Sequence, residues 1–592
     1  MVAILAPRQA VVGATGMSRP IRRRPVPEVD FQGEIDPLLA RIYAARGVKS
    51  VTEVQDYGLQ HLARISTLES VEAGAALMAR HMSEHGHMLV VGDYDADGAT
   101  ATALVVRGLR ALGYASVSYI VPDRAKFGYG LTAGIAALAI ERKPTLIITV
   151  DNGVSSLEGI DLVRAAGIDV LVTDHHLPAA ALPNANVIVN PNLAGSGFSS
   201  RALAGVGVAF YVLTALARHL GQSTGLIAQY LDLVALGTVA DVVPLDRNNR
   251  ILVEQGLRRI REGRCVAGIQ ALAAVAGRPL VNATPSDMGF TIGPRLNAAG
   301  RLEDMRIGIE CLLADDLAEA QRLAEELDAI NRKRRQIEGK TQDEAMGIVQ
   351  RLQLASPGVK APAALTLYDA EWHQGVVGLV AGRVKDVIYR PVVVFAPAED
   401  GLLRGSARSV AGIHVRDALE AVATANPGLI ERFGGHAMAA GLSLRPEQVK
   451  PFAVAFEAEV ARRAEPGILD GAIMTDGELD PDDLSVATAD RLRAAGPFGS
   501  GFPEPQFDGE FRVRDVKILK ERHLKMTLAG GPRTAPIEAI SFGWIAKPGA
   551  FTPERDSTVR VVYRLDVNDW QGLRRPQLVI DHVEPIETTR ML

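Results

Sequence analysis

The sequence predicts a multidomain α/β chain: a parallel-sheet domain, a long connecting helix, a smaller α/β domain and a C-terminal β-barrel of OB type. Three observations predict it. Apolar runs alternate with helical patterns from about residue 86 to 245 and again from about 362, as they do where helices cover both faces of a parallel sheet. Between the two regions, residues 315–353 hold one helical pattern with Leu323, Leu327 and Ile330 at i, i+4 and i+7. From about 470, five short strand patterns follow at near-regular spacing, the mark of a small barrel.

The totals narrow the function classes. A chain of 592 residues exceeds one core, and ~150 residues per domain suggests three or four domains. A net charge of −5 is no basic signature, so a nucleic acid must be met by a local groove. Cys265 and Cys311 are the only cysteines; they build neither a disulfide framework nor a cysteine zinc site, and they fit a reducing cytosol. The apolar part of MVAILAPRQ is too short for a signal peptide, and no run of about 18 apolar residues occurs. The expectation is a soluble cytoplasmic protein with no membrane partner.

In chain order, residues 1–30 set Arg22, Arg23 and Arg24 among prolines and read as a flexible, solvated arm. Short helical patterns fill 35–85. The strand-like runs that follow are MLVVGDYD, SVSYIVPD, TLIITVDNG, DVLVTDHH and NVIVNP. In parallel sheets ligands bind beyond the carboxyl ends of the strands. The polar tails of the runs, Asp93/Asp95/Asp97, Asp123-Arg124, Asp151-Asn152 and Asp174-His175-His176, therefore make an acidic, histidine-containing rim. Asp93, Asp95 and Asp97 alternate, so an extended strand would aim them at one face. Carboxylates that close raise each other's pKa unless a cation sits among them.

Two nucleotide look-alikes fail. Gly205-Val-Gly207-Val-Ala-Phe210 puts phenylalanine where a dinucleotide fingerprint needs a small residue, and reads as helix packing. Gly339-Lys340-Thr341 would need glycine at Arg334 to be a phosphate loop. The long helical pattern carries Arg332, Lys333, Arg334, Arg335 and Lys340 on its polar side, either a solvated face or a basic flank for a phosphate backbone. The second α/β region holds EWHQGVVG, LRGSARS and FGGHAMAAG, whose glycines let a phosphate or sugar approach backbone N–H groups. The barrel carries Arg512, Arg514, Lys517, Lys520, Arg522 and Lys525, with Phe511 and Trp544 as candidate base stackers.

The rim's inventory is Asp93, Asp95, Asp97, Asp151, His175 and, further on, Asp241. Five carboxylates and an imidazole without a thiolate suit Mn²⁺ or Mg²⁺ rather than structural zinc. One ion takes three or four protein ligands, so the set fits two ions sharing an aspartate. Two metals ~3.5–4 Å apart activate water and stabilise both oxygens of an in-line displacement at phosphorus. Taken alone, Asp241 reads as an aspartate ending a helix.

The set DYDADG, VDNG, TDHH and GTVADVVPL resembles motifs one to four of the DHH phosphoesterase superfamily. With PDRAKFGYGL, GPRLNAAGR, WHQGVVG, GSARS and FGGHAMAAG the chain from about 85 to 590 resembles its RecJ family of single-stranded-DNA-specific exonucleases. The related family-II pyrophosphatases have a histidine where Val91 stands. The resemblance implies domains at 1–75 (arm and helical segment), 76–314 (DHH), 315–355 (connecting helix), 356–465 (DHH-associated) and 466–592 (OB-fold). It implies that Asp93 and Asp95 hold one ion, Asp97, His175 and Asp241 the other, with Asp151 bridging. His176 would face the scissile phosphate and Asp174 would orient the histidines; Asp151, His175 and His176 are the catalytic set. Substrate contacts would fall to Arg124, Tyr129, Arg295, Arg301, Ser406 and Arg408, with His373 and His436 on the DHH-associated domain. The implied activity is 5′ to 3′ hydrolysis of single-stranded DNA to mononucleotides, in DNA repair and recombination. The implied enzyme is a monomer that works with a helicase and single-strand-binding protein. Rival readings are a relative acting on short oligonucleotides or cyclic dinucleotides, a DNA-binding scaffold without catalysis, and a sugar-phosphate sensor. The filled ligand positions and the C-terminal barrel argue against them.

Overall fold

The computed structural model describes residues 3–4, 19–179, 181–354, 362–398, 400–530, 535–546, 551–570 and 572–586. They form two compact units, one of residues 50–334 with 497–504, the other of residues 1–49, 335–496 and 505–592. Among the described residues no helix is long and apolar enough to cross a membrane.

In the first unit the five apolar runs form strands β1 (Met88–Val91), β2 (Val117–Ile120), β3 (Leu146–Val150), β4 (Asp169–Thr173) and β5 (Val187–Val189). The sheet is all parallel, in the order β2-β1-β3-β4-β5. Leu89, Val91, Ile147, Val170 and Val172 pack against Ile135, Ala139, Ile160 and Val163. The intervening Met88, Val90, Ile148 and Leu171 are buried as well, because helices cover both faces. Each such side chain contributes about 1.5–3 kcal/mol by leaving water, which makes the carboxyl edge a rigid platform. The site's helices are α1 (Ala96–Ala111), α2 (Gly205–His219), α3 (Leu231–Ala240) and α4 (Gly293–Leu302).

The strand reading of the three aspartates needs correction. β1 ends at Val91, and Asp95 is the N-cap of α1, its carboxylate accepting from Gly98 N at 3.0 Å. Asp93 therefore sits in a loop and Asp97 in the first helical turn. They converge through the strand–loop–helix turn, not through the pleat.

Helix α5 (Leu317–Leu354) is the long helix. Leu323, Leu327 and Ile330 are buried, and so is Arg334, which falls on the same stripe at i+11 and hydrogen-bonds Asn331. Arg332 pairs with Asp328 and Lys333 with Glu303. Arg334 is thus withdrawn from the basic flank, while Arg332, Lys333, Arg335 and Lys340 stay exposed.

The second unit contains β6 (Leu365–Tyr368), β7 (Val392–Pro397), β8 (Leu403–Arg408), β9 (Arg432–Gly435) and β10 (Ala439–Leu444). With Ala3–Ile4 at one edge, they run in the order β6-β7-β8-β10-β9, parallel between β6 and β7 and antiparallel elsewhere. Helices α6 (Val377–Ile388), α7 (Val415–Ala425) and α8 (Val449–Arg463) cover it, with Phe395, Phe452 and Phe456 in the core.

The barrel closes as β11 (Phe507–Leu519), β12 (His523–Ala529), β13 (Ile537–Ser541), β15 (Leu573–Pro585) and β14 (Thr558–Trp570), with β13 and β15 parallel. Phe511 and Trp544 lie in its core, so neither is a base stacker. The alternation explains Phe511, which shares inward parity with Phe507 and Val513 while Glu510, Arg512 and Arg514 face out. Trp544 donates to the Phe551 carbonyl. Much of the expected charge is paired: Arg512 with Asp556, Lys517 with Asp515 and Lys525 with Glu538.

The arginine arm is not a solvated tail where it is described. Ile21–Arg23 runs parallel to Ile473–Thr475, and Arg23 reaches the buried Asp508 at 3.1 Å. Arg46 and Asp476 form an ion pair at 2.8 Å with both side chains 1% exposed. Residues 5–18 of the expected arm lie outside the described residues.

Candidate metal centre

The carboxyl edge of the parallel sheet brings the six expected ligands together. Ligand atoms of Asp93, Asp95 and Asp151 lie within 4.8 Å of one another, as do those of Asp97, His175 and Asp241, and those of Asp151, His175 and His176. His175 Nε2 is 3.1 Å from Asp151 Oδ1 and 3.6 Å from Asp241 Oδ2.

Each ligand has a local reason for its position. Asp151 follows β3 with φ +61°, a left-handed conformation that aspartate tolerates better than most residues; its carbonyl accepts from Tyr129 OH at 2.8 Å. Asp97 accepts from Gly205 N at 2.6 Å and Val206 N at 3.0 Å, the free N–H groups at the start of α2. A Cβ on Gly205 would stand 2.6 Å from that of Asp151, and one on Gly237 would stand 2.8 Å from Asp97 Oδ1. The GVGVAF stretch is helix packing as expected, but its first residues also hold a ligand. Asp241 is the C-cap of α3, the bland reading of it, and it reaches the cluster all the same. The carbonyls of His175 and His176 accept from Asn192 at 2.6 Å and Asn190 at 2.9 Å.

Behind the histidines lies Asp174, 1% exposed. Its Oδ2 accepts from Val154 N at 2.9 Å; its Oδ1 takes His175 N at 2.7 Å, His176 N at 3.1 Å and His176 Nδ1 at 2.7 Å. Burial works against the Asp174 charge, but His176 and these donors outweigh it and hold the carboxyl at about 2. Burial likewise opposes charge on His176, yet Asp174 raises it to about 9. The Tyr129 hydroxyl lies 3.0 Å from His176 Nδ1 and stays protonated, driven well above its ordinary value by burial and then by Asp174 and Asp151.

The electrostatics call for a cation. Burial first, and then repulsion from Asp241, pushes Asp97 up to about 7. Asp241 goes to about 8 by burial and the charge of Asp95, and Asp151 rises well above the carboxylate range by burial and its aspartate neighbours. Burial and His176 lower His175. Asp151 Oδ1, His175 Nε2 and Asp241 Oδ2 are buried without a hydrogen-bond partner, an expensive arrangement for a protein alone. Oxygen-rich donors with one imidazole fit divalent Mn²⁺ or Mg²⁺.

The expected substrate residues divide. Arg295 is buried, its guanidinium on Asp328 at 2.9 Å and on the Thr291 carbonyl at 2.7 Å, so in this structure it is engaged by protein groups rather than open to a substrate. Arg301 is half-buried in the last turn of α4. Arg124 begins the short helix Arg124–Phe127, but its side chain lies outside what is described. In the second unit, Arg408 Nη1 donates to Ser406 Oγ at 2.9 Å. A Cβ on Gly378, in the first turn of α6, would lie 2.9 Å from Arg408 Nη2 and 3.0 Å from Ser406 Oγ. Helix N-terminus, hydroxyl and guanidinium thus share one place, a ready anion cradle. His373 and His436 are both exposed, His436 in the turn between β9 and β10. Sequence reasoning missed Asn190, Asn192, Asn297 and the N–H groups of Gly205 and Val206. Their contacts reveal them: Asn297 lies inside GPRLNAAGR, but the motif does not say what its side chain meets, and helix starts carry no signal of their own.

Family models match for the DHH family, N-terminal domain, at residues 87–238, the DHHA1 domain at 361–462 and the RecJ OB domain at 475–582. The chain is 46% identical over 578 residues to the single-stranded-DNA-specific exonuclease RecJ of Dickeya dadantii (strain 3937), covering 96% of this chain and 99% of the relative. It is similar to crystal structures of RecJ from Thermus thermophilus. The complex with Mn²⁺ shares 31% identity at TM-score 0.77, covering 94% of this chain and 76% of the other. The complex with Mg²⁺ shares 29% at TM-score 0.70, covering 94% and 75%. At that identity and coverage, the chain belongs to the RecJ family of single-stranded-DNA-specific exonucleases.

Proposed function

We propose that this chain is a metal-dependent exodeoxyribonuclease. It hydrolyses single-stranded DNA from the 5′ end and releases mononucleotides, with two divalent ions, Mn²⁺ or Mg²⁺, in DNA repair and recombination. The observation that carries the reading is the convergence of Asp151 Oδ1, His175 Nε2 and Asp241 Oδ2, buried and without hydrogen-bond partners, at one sheet edge. Asp93, Asp95 and Asp151 would hold one ion and Asp97, His175 and Asp241 the other, with Asp151 common to both. Bound there, the ions supply a water activated for attack at phosphorus and the charge that offsets the developing oxyanion.

The chain's own groups do the rest. His176, kept protonated by Asp174, is the one histidine of the pair able to offer a hydrogen bond or proton to an oxygen gaining charge. Tyr129 fixes its ring and the Asp151 backbone together. Ser406, Arg408 and the start of α6 would take the 5′ phosphate, and Arg124, Arg301, His373 and His436 would line the strand's path. The barrel's outward arginines and lysines suit a phosphate backbone. We place the enzyme in the cytoplasm as a monomer acting with a helicase and single-strand-binding protein.

Digestion of end-labelled single- and double-stranded DNA with Mn²⁺ or Mg²⁺ tests the reading. Asp151→Ala should abolish turnover and leave strand binding nearly intact; retained turnover removes the shared-ligand role. Equal rates on 5′-blocked and 3′-blocked strands would defeat the polarity.

A further inference from the structure

We infer that helix α4, the GPRLNAAGR segment, is the jig that sets the spacing of two ligand-bearing segments, and that Asn297 is its positioning residue. This rests on the metal reading above. Asn297 Oδ1 accepts from Ala96 N at 2.8 Å. Ala96 is 1% exposed and lies between the ligands Asp95 and Asp97. As the first residue of α1, its N–H has no partner within its own helix. One turn along α4, Gly300 passes so close to the Tyr94 carbonyl that a Cβ there would overlap the oxygen. Tyr94 separates Asp93 from Asp95, so α4 grips the loop on both sides of Asp95. At its other end, Gly293 packs on Ala240, the residue before Asp241, where a Cβ would meet that of Ala240 at 3.2 Å.

α4 itself is anchored. Leu296, Ala298 and Ala299 are buried, and Arg295 ties the helix to Asp328 and to Thr291. The segment thereby holds the Asp93–Asp97 loop and the end of α3 at one distance. Groups that orient metal ligands from behind typically change metal affinity 10- to 100-fold when removed.

The test is Mn²⁺ binding by calorimetry to the metal-free full chain, paired with hydrogen exchange of the peptide spanning Asp93 to Gly98. Asn297→Leu should weaken Mn²⁺ binding about 10- to 100-fold and speed exchange in that peptide alone. Leu296→Ala, a packing loss on the same helix, should lower the melting temperature with Mn²⁺ affinity kept. Asn297→Ala gives the same reading if the leucine variant does not fold. Wild-type affinity in the Asn297 variants, or a loss no larger than that of Leu296→Ala, overturns the inference. A wild-type chain that takes up no Mn²⁺ fails the metal reading instead.

Discussion

Replacing Asp174 by asparagine removes one charge from behind the histidine pair and leaves the shape nearly unchanged. His176 is raised from 6.5 to about 9 by Asp174 against the pull of burial. That gap is worth about 3 kcal/mol at 1.36 kcal/mol per unit, in line with a charge-assisted hydrogen bond at 2.7 Å. With the carboxylate gone, burial opposes the charge and the weaker pull of Asp241 and Asp93 remains, so the imidazole falls back toward or below its ordinary value. At pH 8 its protonated fraction then falls from most of the population to about one in thirty or less. Histidine-ring NMR on the metal-free protein reads this directly: a midpoint near 9 in the wild type, and below neutrality in Asp174→Asn. The asparagine also turns an NH₂ group toward Val154 N–H, where Oδ2 had accepted, at a cost of about 1–3 kcal/mol. The pair's stability window follows from the same shifts. The raised His176 contributes fully below 6.5 and is lost as pH climbs through about 9; the depressed Asp174 contributes above 3.8 and is lost as pH falls through about 2. A wild-type His176 titrating near 6.5, or a variant still titrating near 9, would refute the reasoning.

Metal uptake should release protons. Asp97 and Asp241 are raised to about 7 and about 8, and Asp151 is raised too, so Mn²⁺ must displace protons and its affinity should climb from pH 6 to 8. Calorimetry in buffers of different ionisation heat counts them, and zero release contradicts the shifts. The same raised carboxylates lower the stability of the metal-free fold as pH rises through 7 to 8, and Mn²⁺ should restore the melting temperature. Gly300→Ala should cost about 1–3 kcal/mol by overpacking against Tyr94; an unchanged melting temperature would show that α4 yields freely. Arg46→Met leaves the buried Asp476 carboxylate with the Gln506 N–H at 3.0 Å and Arg24 at 3.7 Å, and should cost about 3 kcal/mol, read as early denaturant unfolding of the barrel.

Much of this protein was written in local pattern. The five apolar runs, the long helix and the five barrel strands are legible because their periodicities reflect burial on one face or two, a property of each segment alone. The metal-ligand residue types were legible for a related reason, since a parallel sheet delivers its strand ends to one rim and any acidic tails arrive there together. Tertiary structure decided what periodicity cannot carry. Arg334 shares the apolar stripe of Leu323 and Leu327 yet is charged, and periodicity cannot show the polar contacts, that with Asn331 among them, that accompany its burial. Arg295 carries the guanidinium of a phosphate ligand, but Asp328 already occupies it. The arginine arm has the composition of a tail and becomes a strand because Ile473–Thr475, 452 residues later in sequence, offers it an edge. Asn297 lies within GPRLNAAGR, but its meaning comes from an N–H that α1 leaves unpaired within its own helix. Local sequence specified the elements and the kinds of atom at the rim. Long-range packing alone determined which polar groups were spent on holding the fold and which were left facing a cation.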